Sequence, residues 1–155
     1  MRVVKSLKIL FSILNYFLKF LIIGGKEKNM PEAEIRYFTP SEANKTLPLV
    51  KQIVQDILNS TFRIKTIAEE NEGYIEDNQE VKTLIEKIDS YLNELNILGC
   101  AYKDWNFQFG LVDFPGIING EEVNLCWRSD EDSIKYYHGI EEGYAGRKPI
   151  PADQL

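Results

Sequence analysis

The dipeptide Asn119-Gly120 stands between two β-prone runs, Leu111 to Ile118 and Glu121 to Arg128, and no other feature restricts the fold as tightly. A two-residue Asn-Gly loop closes a type I′ hairpin, because both loop residues must take positive φ and these two tolerate it best. The turn sets a register. With Ile118 opposite Glu121, counting outward pairs Phe114 with Leu125, Asp113 with Cys126, Val112 with Trp127 and Leu111 with Arg128. Side chains alternate between faces, so one face collects Val112, Phe114, Val123, Leu125 and Trp127, and the other Asp113, Asn124, Cys126 and Arg128. The first reads as core and the second as a candidate site. Asp113 lies diagonal to Arg128, which predicts a charge-assisted pair. A bulge at Pro115-Gly116 would shift the register by one residue and exchange the faces.

A chain of 155 residues with 44% hydrophobic and 27% charged residues fits one domain with an ordinary core. Its net charge of −6 is unevenly spread: residues 1–30 hold six Lys/Arg and one Glu, a balance of +5, which leaves −11 from Pro31 onward. So acidic a body repels phosphate backbones, and no Lys/Arg cluster with interleaved aromatics offsets it. Nucleic-acid binding is therefore disfavoured, and cations, small molecules or proteins are the expected partners. Cys100 and Cys126 are far apart and form no C-x-x-C pair, which removes zinc-ribbon and thioredoxin-type readings. Reduced thiols in a cytoplasmic protein are the simplest account, with a disulfide conceivable only for an exported chain.

Residues 1–30 are basic and apolar. Their longest uncharged run, Ile9 to Leu18, is too short to span a bilayer. They read as an extension outside a globular domain of residues 31–155, through a start upstream of Met30-Pro31. The alternatives are a signal peptide without an A-x-A-like cleavage site and a membrane-associated segment. Thr39-Pro40-Ser41-Glu42 is a helix start, with Thr39 capping, Pro40 at the first helical position and Glu42 completing a capping box. Pro48 predicts a kink or restart near Leu47. Val50, Val54, Ile57, Thr61, Ile64 and Ala68 then follow helical spacing, widened by Leu49, Ile53, Leu58 and Phe62, before Gly73 terminates the helix. Val81, Leu84, Ile85, Ile88, Leu92, Leu95 and Leu98 mark a second amphipathic helix that stops at Gly99. A short connection predicts that the two pack antiparallel, and their stripes also leave room for self-association as a homodimer.

Beyond Gly99 the spacing turns to short aromatic and β-branched runs. Cys100 to Tyr102 reads as a strand, Lys103 to Asn106 as a turn, Phe107 to Asp113 and Val123 to Arg128 as the hairpin, Ile134 to His138 as another strand, and Gly139 to Pro151 as a glycine-punctuated tail. The expected fold is α+β: an antiparallel two-helix hairpin packed on a small antiparallel sheet of three or four strands. Motifs along this path carry a resemblance. Tyr37-Phe38-Thr39, Glu42-Ala43-Asn44, Leu47-Pro48, Lys103-Asp104, Gly110 to Pro115, Leu125-Cys126-Trp127-Arg128, His138 and Gly143 to Arg147 with Pro149-Ile150 together resemble a prokaryotic family known only as domain of unknown function 2203. The resemblance runs from about Tyr37 to Pro151 and implies no activity. Where that family favours a Gly-Glu pair after Cys-Trp-Arg, this chain has Ser129-Asp130-Glu131, a departure that argues against a tight turn there.

Chemistry therefore has to be read from residues. Cys126, His138 and Asp113 could form a nucleophilic triad in which His138 takes the thiol proton and Asp113 orients the ring; the bland alternative for Cys126 is a small buried apolar group. His138 with Asp113 and Glu141 or Glu142 could instead hold a divalent cation, although one histidine in the chain rules out two-histidine triads and three-histidine zinc sites. Arg128, Arg147 and Lys148, with glycine amides nearby, could take an anion, against the simpler reading that the arginines pair with neighbouring carboxylates. G-x-S-x-G, G-x-G-x-x-G and H-E-x-x-H are all absent, which excludes the serine hydrolase, dinucleotide and metalloprotease classes those motifs mark. The leading expectation is a small cytoplasmic binding or accessory protein whose polar sheet face, with Asp113, Arg128, His138 and Arg147, holds a ligand or partner. The alternative is a small enzyme or metal-dependent protein using Asp113, His138 and Cys126.

Overall fold

A computed structural model describes residues 35–155, and the readings of residues 1–30 lie outside the described residues. Among the described residues two helices, α1 (Pro40–Glu70) and α2 (Gln79–Leu98), pack on a five-stranded antiparallel sheet. Its strands are β1 (Ala101–Tyr102), β2 (Leu111–Ile118), β3 (Glu121–Arg128), β4 (Tyr136–Gly139) and β5 (Lys148–Pro149), in the spatial order of the sequence. The fifth strand comes from the segment read as a tail, where two residues pair with Tyr136 and Tyr137. So short a run gives no periodicity to detect in sequence. Among the described residues no helix is long and apolar enough to cross a membrane.

The chain divides into two compact units. One contains Asn59–Asp89, the far ends of the helices and their connection. Here Ile64, Ile67, Ala68, Ile75, Val81, Ile85 and Ile88 are buried. Gly73, at φ 93°, donates its amide to Ala68 O at 2.8 Å and ends α1. Asn78 then caps α2, its Oδ1 accepting from the Val81 amide at 3.0 Å. Arg63 and Glu80 form an exposed two-bond pair at 2.7 and 3.1 Å.

The other unit contains Glu34–Leu58 and Ser90–Leu155. Thr39 and Glu42 make the expected capping box: the Glu42 carboxylate accepts from the Thr39 amide at 2.9 Å, and Thr39 Oγ1 from the Glu42 amide at 3.2 Å. Of the kink or restart expected at Pro48, the restart does not occur, since α1 runs unbroken through it. Buried Ala43, Leu47, Val50, Ile53, Val54 and Ile57 face the core on either side of that proline, and their burial holds the helix together where one backbone bond is lost. Asn44 ties this first part of α1 to the chain before β4, accepting from the Ile134 amide at 2.8 Å and donating to its carbonyl at 3.2 Å.

The hairpin register is the expected one along its whole length, from Ile118 with Glu121 to Leu111 with Arg128. Asn119 (φ 54°) and Gly120 (φ 81°) both take positive φ. No bulge forms at Pro115-Gly116. Phe38 instead docks there as a parallel bridge, its amide donating to Pro115 O at 2.8 Å. A Cβ on Gly116 would stand 2.8 Å from Leu125 Cγ and 3.0 Å from Phe38 O, so only glycine admits that approach. β2 begins at Leu111 and not at Phe107. The intervening segment is a loop wound on Asp104, whose carboxylate accepts from the amides of Asn106, Gln108, Phe109 and Gly110 at 2.7 to 3.2 Å. After β3 the tight turn argued against above does form: the Glu131 amide donates to Arg128 O at 2.9 Å, and the Glu131 carboxylate accepts from the Arg128 amide at 2.9 Å.

Candidate functional site

Alternation along β2 and β3 does what the register requires. Val112, Phe114, Val123, Leu125 and Trp127 are all buried on one face, where Trp127 lies beside Lys51 of α1 and Phe38 meets Phe114 edge-on at 5.3 Å. On the other face three adjacent strands each contribute one member of a buried cluster. Asp113 of β2 pairs directly with Cys126 of β3, while His138 of β4 pairs with Asn124, two residues away on the same face. Asp113, Cys126 and His138 are 6%, 1% and 2% exposed, and one ligand atom from each lies within 4.8 Å of the others.

Donor and acceptor chemistry orders this cluster. His138 Nδ1 lies 2.8 Å from the carbonyl of Gly139. A carbonyl only accepts, so Nδ1 carries the ring hydrogen and Nε2 of a neutral imidazole presents a lone pair. Nε2 faces both oxygens of Asp113 at 3.3 Å. Two acceptors therefore meet, and a proton or a cation has to stand between them. Burial pushes the Cys126 thiol up to about 12, with the neighbouring Asp113 carboxylate adding to the rise through charge and a hydrogen bond, and Arg147 opposing it. Burial does the same to Cys100, also up to about 12, whose sulfur donates to Leu95 O at 3.4 Å. Both cysteines are free.

The three residues are together, but not in the contact order of a nucleophilic triad. Asp113 stands against both the thiol and the imidazole, and neither ring nitrogen is directed at the sulfur by a hydrogen bond. The other sequence candidates lie elsewhere. Arg128 does not take the diagonal pair with Asp113; its guanidinium binds the Asp130 carboxylate through two bonds and the Tyr144 hydroxyl at 2.8 Å. Arg147 binds Glu131 at 2.7 Å and the Cys126 carbonyl at 3.3 Å, and its guanidinium lies over the rings of Tyr136 and Tyr144. Lys148 pairs with Glu142 at 3.6 Å. Glu141 is exposed and outside the buried cluster, and Glu142 accepts from the Gly139 amide at 2.8 Å. Glu131 and Asp104, met in sequence only within Ser129-Asp130-Glu131 and the Lys103 to Asn106 turn, organise their loops. The signal for Glu131 is its place three residues after Arg128, where a carboxylate can close a turn; Asp104 announces itself only by standing six residues before Gly110.

Comparison with known proteins adds a family and no activity. The model of the family described as Uncharacterized conserved protein (DUF2203) matches residues 36–150. No curated protein and no solved structure matches the chain.

Proposed function

We propose that this chain, which belongs to the family of uncharacterized conserved proteins DUF2203, is a small binding protein whose polar sheet face takes a cationic ligand at Asp113, Cys126 and His138. The observation that carries the reading is the approach of His138 Nε2 to the Asp113 carboxylate at 3.3 Å inside the fold, where a neutral ring held by Nδ1 on Gly139 O offers the carboxylate only a lone pair. Burying a carboxylate is costly unless a positive charge or hydrogen-bond donors compensate it. The arginines on the same side of the molecule are already engaged by Asp130 and Glu131, which leaves the cluster to a proton or an incoming cation. The acidic balance of the chain favours cations reaching it.

A thiol enzyme gains less support. Its nucleophile would need an imidazole nitrogen facing the sulfur, and a thiol pushed up to about 12 is protonated at neutral pH. A thermal-unfolding screen of inorganic cations, amines, carboxylates and phosphates tests the binding reading. A cation is expected to raise the unfolding temperature of the native chain and to lose that effect in Asp113→Asn. A panel in which nothing stabilises the protein, or stabilisation undiminished in Asp113→Asn, overturns it.

A further inference from the structure

We infer that the ligand of this face is a divalent transition metal of the zinc class, bound by His138 Nε2, Cys126 Sγ and an Asp113 carboxylate oxygen. The inference rests on the binding reading above and names its ligand. Four observations converge on it. First, the imidazole is oriented as metal-ligating histidines are: its other ring N–H is spent on a backbone carbonyl, here Gly139 O at 2.8 Å, which fixes the tautomer and aims Nε2. Second, the 3.3 Å between Nε2 and the carboxylate oxygens is long for a charge-assisted hydrogen bond, for which about 2.7–2.9 Å is usual. It matches the edge of a tetrahedron with metal–ligand bonds of about 2.0–2.1 Å, which is about 3.3 Å. The thiol sulfur lies within 4.8 Å of the other two ligand atoms, against an edge of about 3.6 Å for a metal–sulfur bond of about 2.3 Å, so the Cys126 side chain closes onto the ion when it binds.

Third, charge closes. A divalent cation with one thiolate, one carboxylate and one neutral imidazole is a neutral group, which a buried site tolerates where an isolated carboxylate is penalised. Fourth, the donor set selects the ion. Magnesium and calcium prefer oxygen ligands, whereas a sulfur and an imidazole nitrogen suit zinc and its neighbours. Three protein ligands are one short of a closed tetrahedron, so a water or a bound molecule takes the fourth position, the arrangement of zinc sites that carry exchangeable ligands. The three ligands sit on adjacent strands of the pinned hairpin and its neighbour, so strand pairing holds them in place.

The test uses the full chain, purified without a histidine tag, stripped by chelator and titrated with cobalt(II) chloride, then with zinc(II) chloride. One equivalent of cobalt is expected per chain, with thiolate-to-metal absorption in the near ultraviolet and the visible bands of tetrahedral cobalt, both displaced by zinc. Cys126→Ser removes the near-ultraviolet absorption. Cys126→Ser and His138→Gln each weaken zinc binding by at least about 100-fold, the upper end of what loss of a merely supporting residue costs. Cys100→Ser leaves both signals unchanged, and circular dichroism of each variant separates lost binding from lost fold. Failure of the folded native chain to take up cobalt or zinc overturns the inference, as does uptake whose absorption survives Cys126→Ser. If the metals fail while a non-metal cation still stabilises the native chain and not Asp113→Asn, the metal assignment falls and the binding reading stands. If no cation of either kind does so, both fall.

Discussion

Thr39 and Glu42 hold the first turn of α1 by reciprocal bonds, and the two side chains have separable effects. Thr39→Ala removes the acceptor that caps the Glu42 amide and is expected to cost about 1 kcal/mol, measured by denaturant unfolding. The bond from the Thr39 amide, and then that from its hydroxyl, holds the Glu42 carboxyl below its ordinary value. A folded-state value below the unfolded one means that the contribution is complete above the ordinary carboxylate range and is lost as pH falls through the lowered folded value. The unfolding temperature of the native chain should therefore exceed that of Glu42→Gln at neutral pH, and the gap should close in acid. Asp104 is a harder case, because one nearly buried carboxylate receives four backbone amides. Its replacement by alanine strands several donors at once and is expected to cost about 3 kcal/mol, read from the same denaturant curves.

At the scale of elements, the hairpin was legible because a two-residue turn with a strict φ requirement leaves a single register, and a period of two then assigns every side chain to a face. Both helices were legible for a similar reason: Val50, Val54, Ile57, Ile64 and Ala68 in α1, and Val81, Ile85, Ile88 and Leu95 in α2, repeat at helical spacing and are buried. Leu49 and Phe62, read into the first stripe, are exposed, since hydrophobicity alone does not say how wide a buried stripe is. Part of the site followed from the same register, which put Asp113 beside Cys126. What the sequence could not reveal was where His138 lands, because the pairing of β4 with β3 depends on a loop of seven residues between them, with no turn signal of comparable strictness. Nor did residue types alone show that Arg128 would prefer Asp130, two residues away, to a diagonal neighbour. Gly116 tests whether hairpin, Phe38 bridge and core form one packed element. Gly116→Ala drives a methyl group to 2.8 Å from Leu125 Cγ and 3.0 Å from Phe38 O, so it should cost about 1–3 kcal/mol. Gly120→Ala meets nothing within 4 Å and should lose only the backbone penalty of its positive φ, about 1–2 kcal/mol. Calorimetry of the two variants distinguishes the mechanisms: alanine at 116 should lose unfolding enthalpy through disturbed packing, and alanine at 120 should not.

For the molecule as a whole, ligand binding and stability are linked through the native state alone. The proposed ligand set of Asp113, Cys126 and His138 is drawn from β2, β3 and β4, so an unfolded chain holds the three donors at arbitrary separations and would bind a metal far more weakly. A ligand that prefers the native state stabilises it by an amount set only by its concentration relative to its dissociation constant, about 2.7 kcal/mol at one hundred times that constant. For a chain of this length each kcal/mol raises the unfolding temperature by about 2–4 °C, so zinc at that excess should raise it by about 5–10 °C. The increment should grow with the logarithm of free zinc and not level off, because mass action continues after the site is full. At the same zinc concentration it should shrink to no more than about 1–2 °C in Asp113→Asn and Cys126→Ser, and a chelator added to zinc-loaded native protein should shift the unfolding temperature downward. A zinc-independent unfolding temperature across that range would remove the metal, and if no other cation stabilised the native chain either, it would mean that the meeting of imidazole and carboxylate is compensated by a proton and that this face of the sheet is a structural hydrogen-bond network.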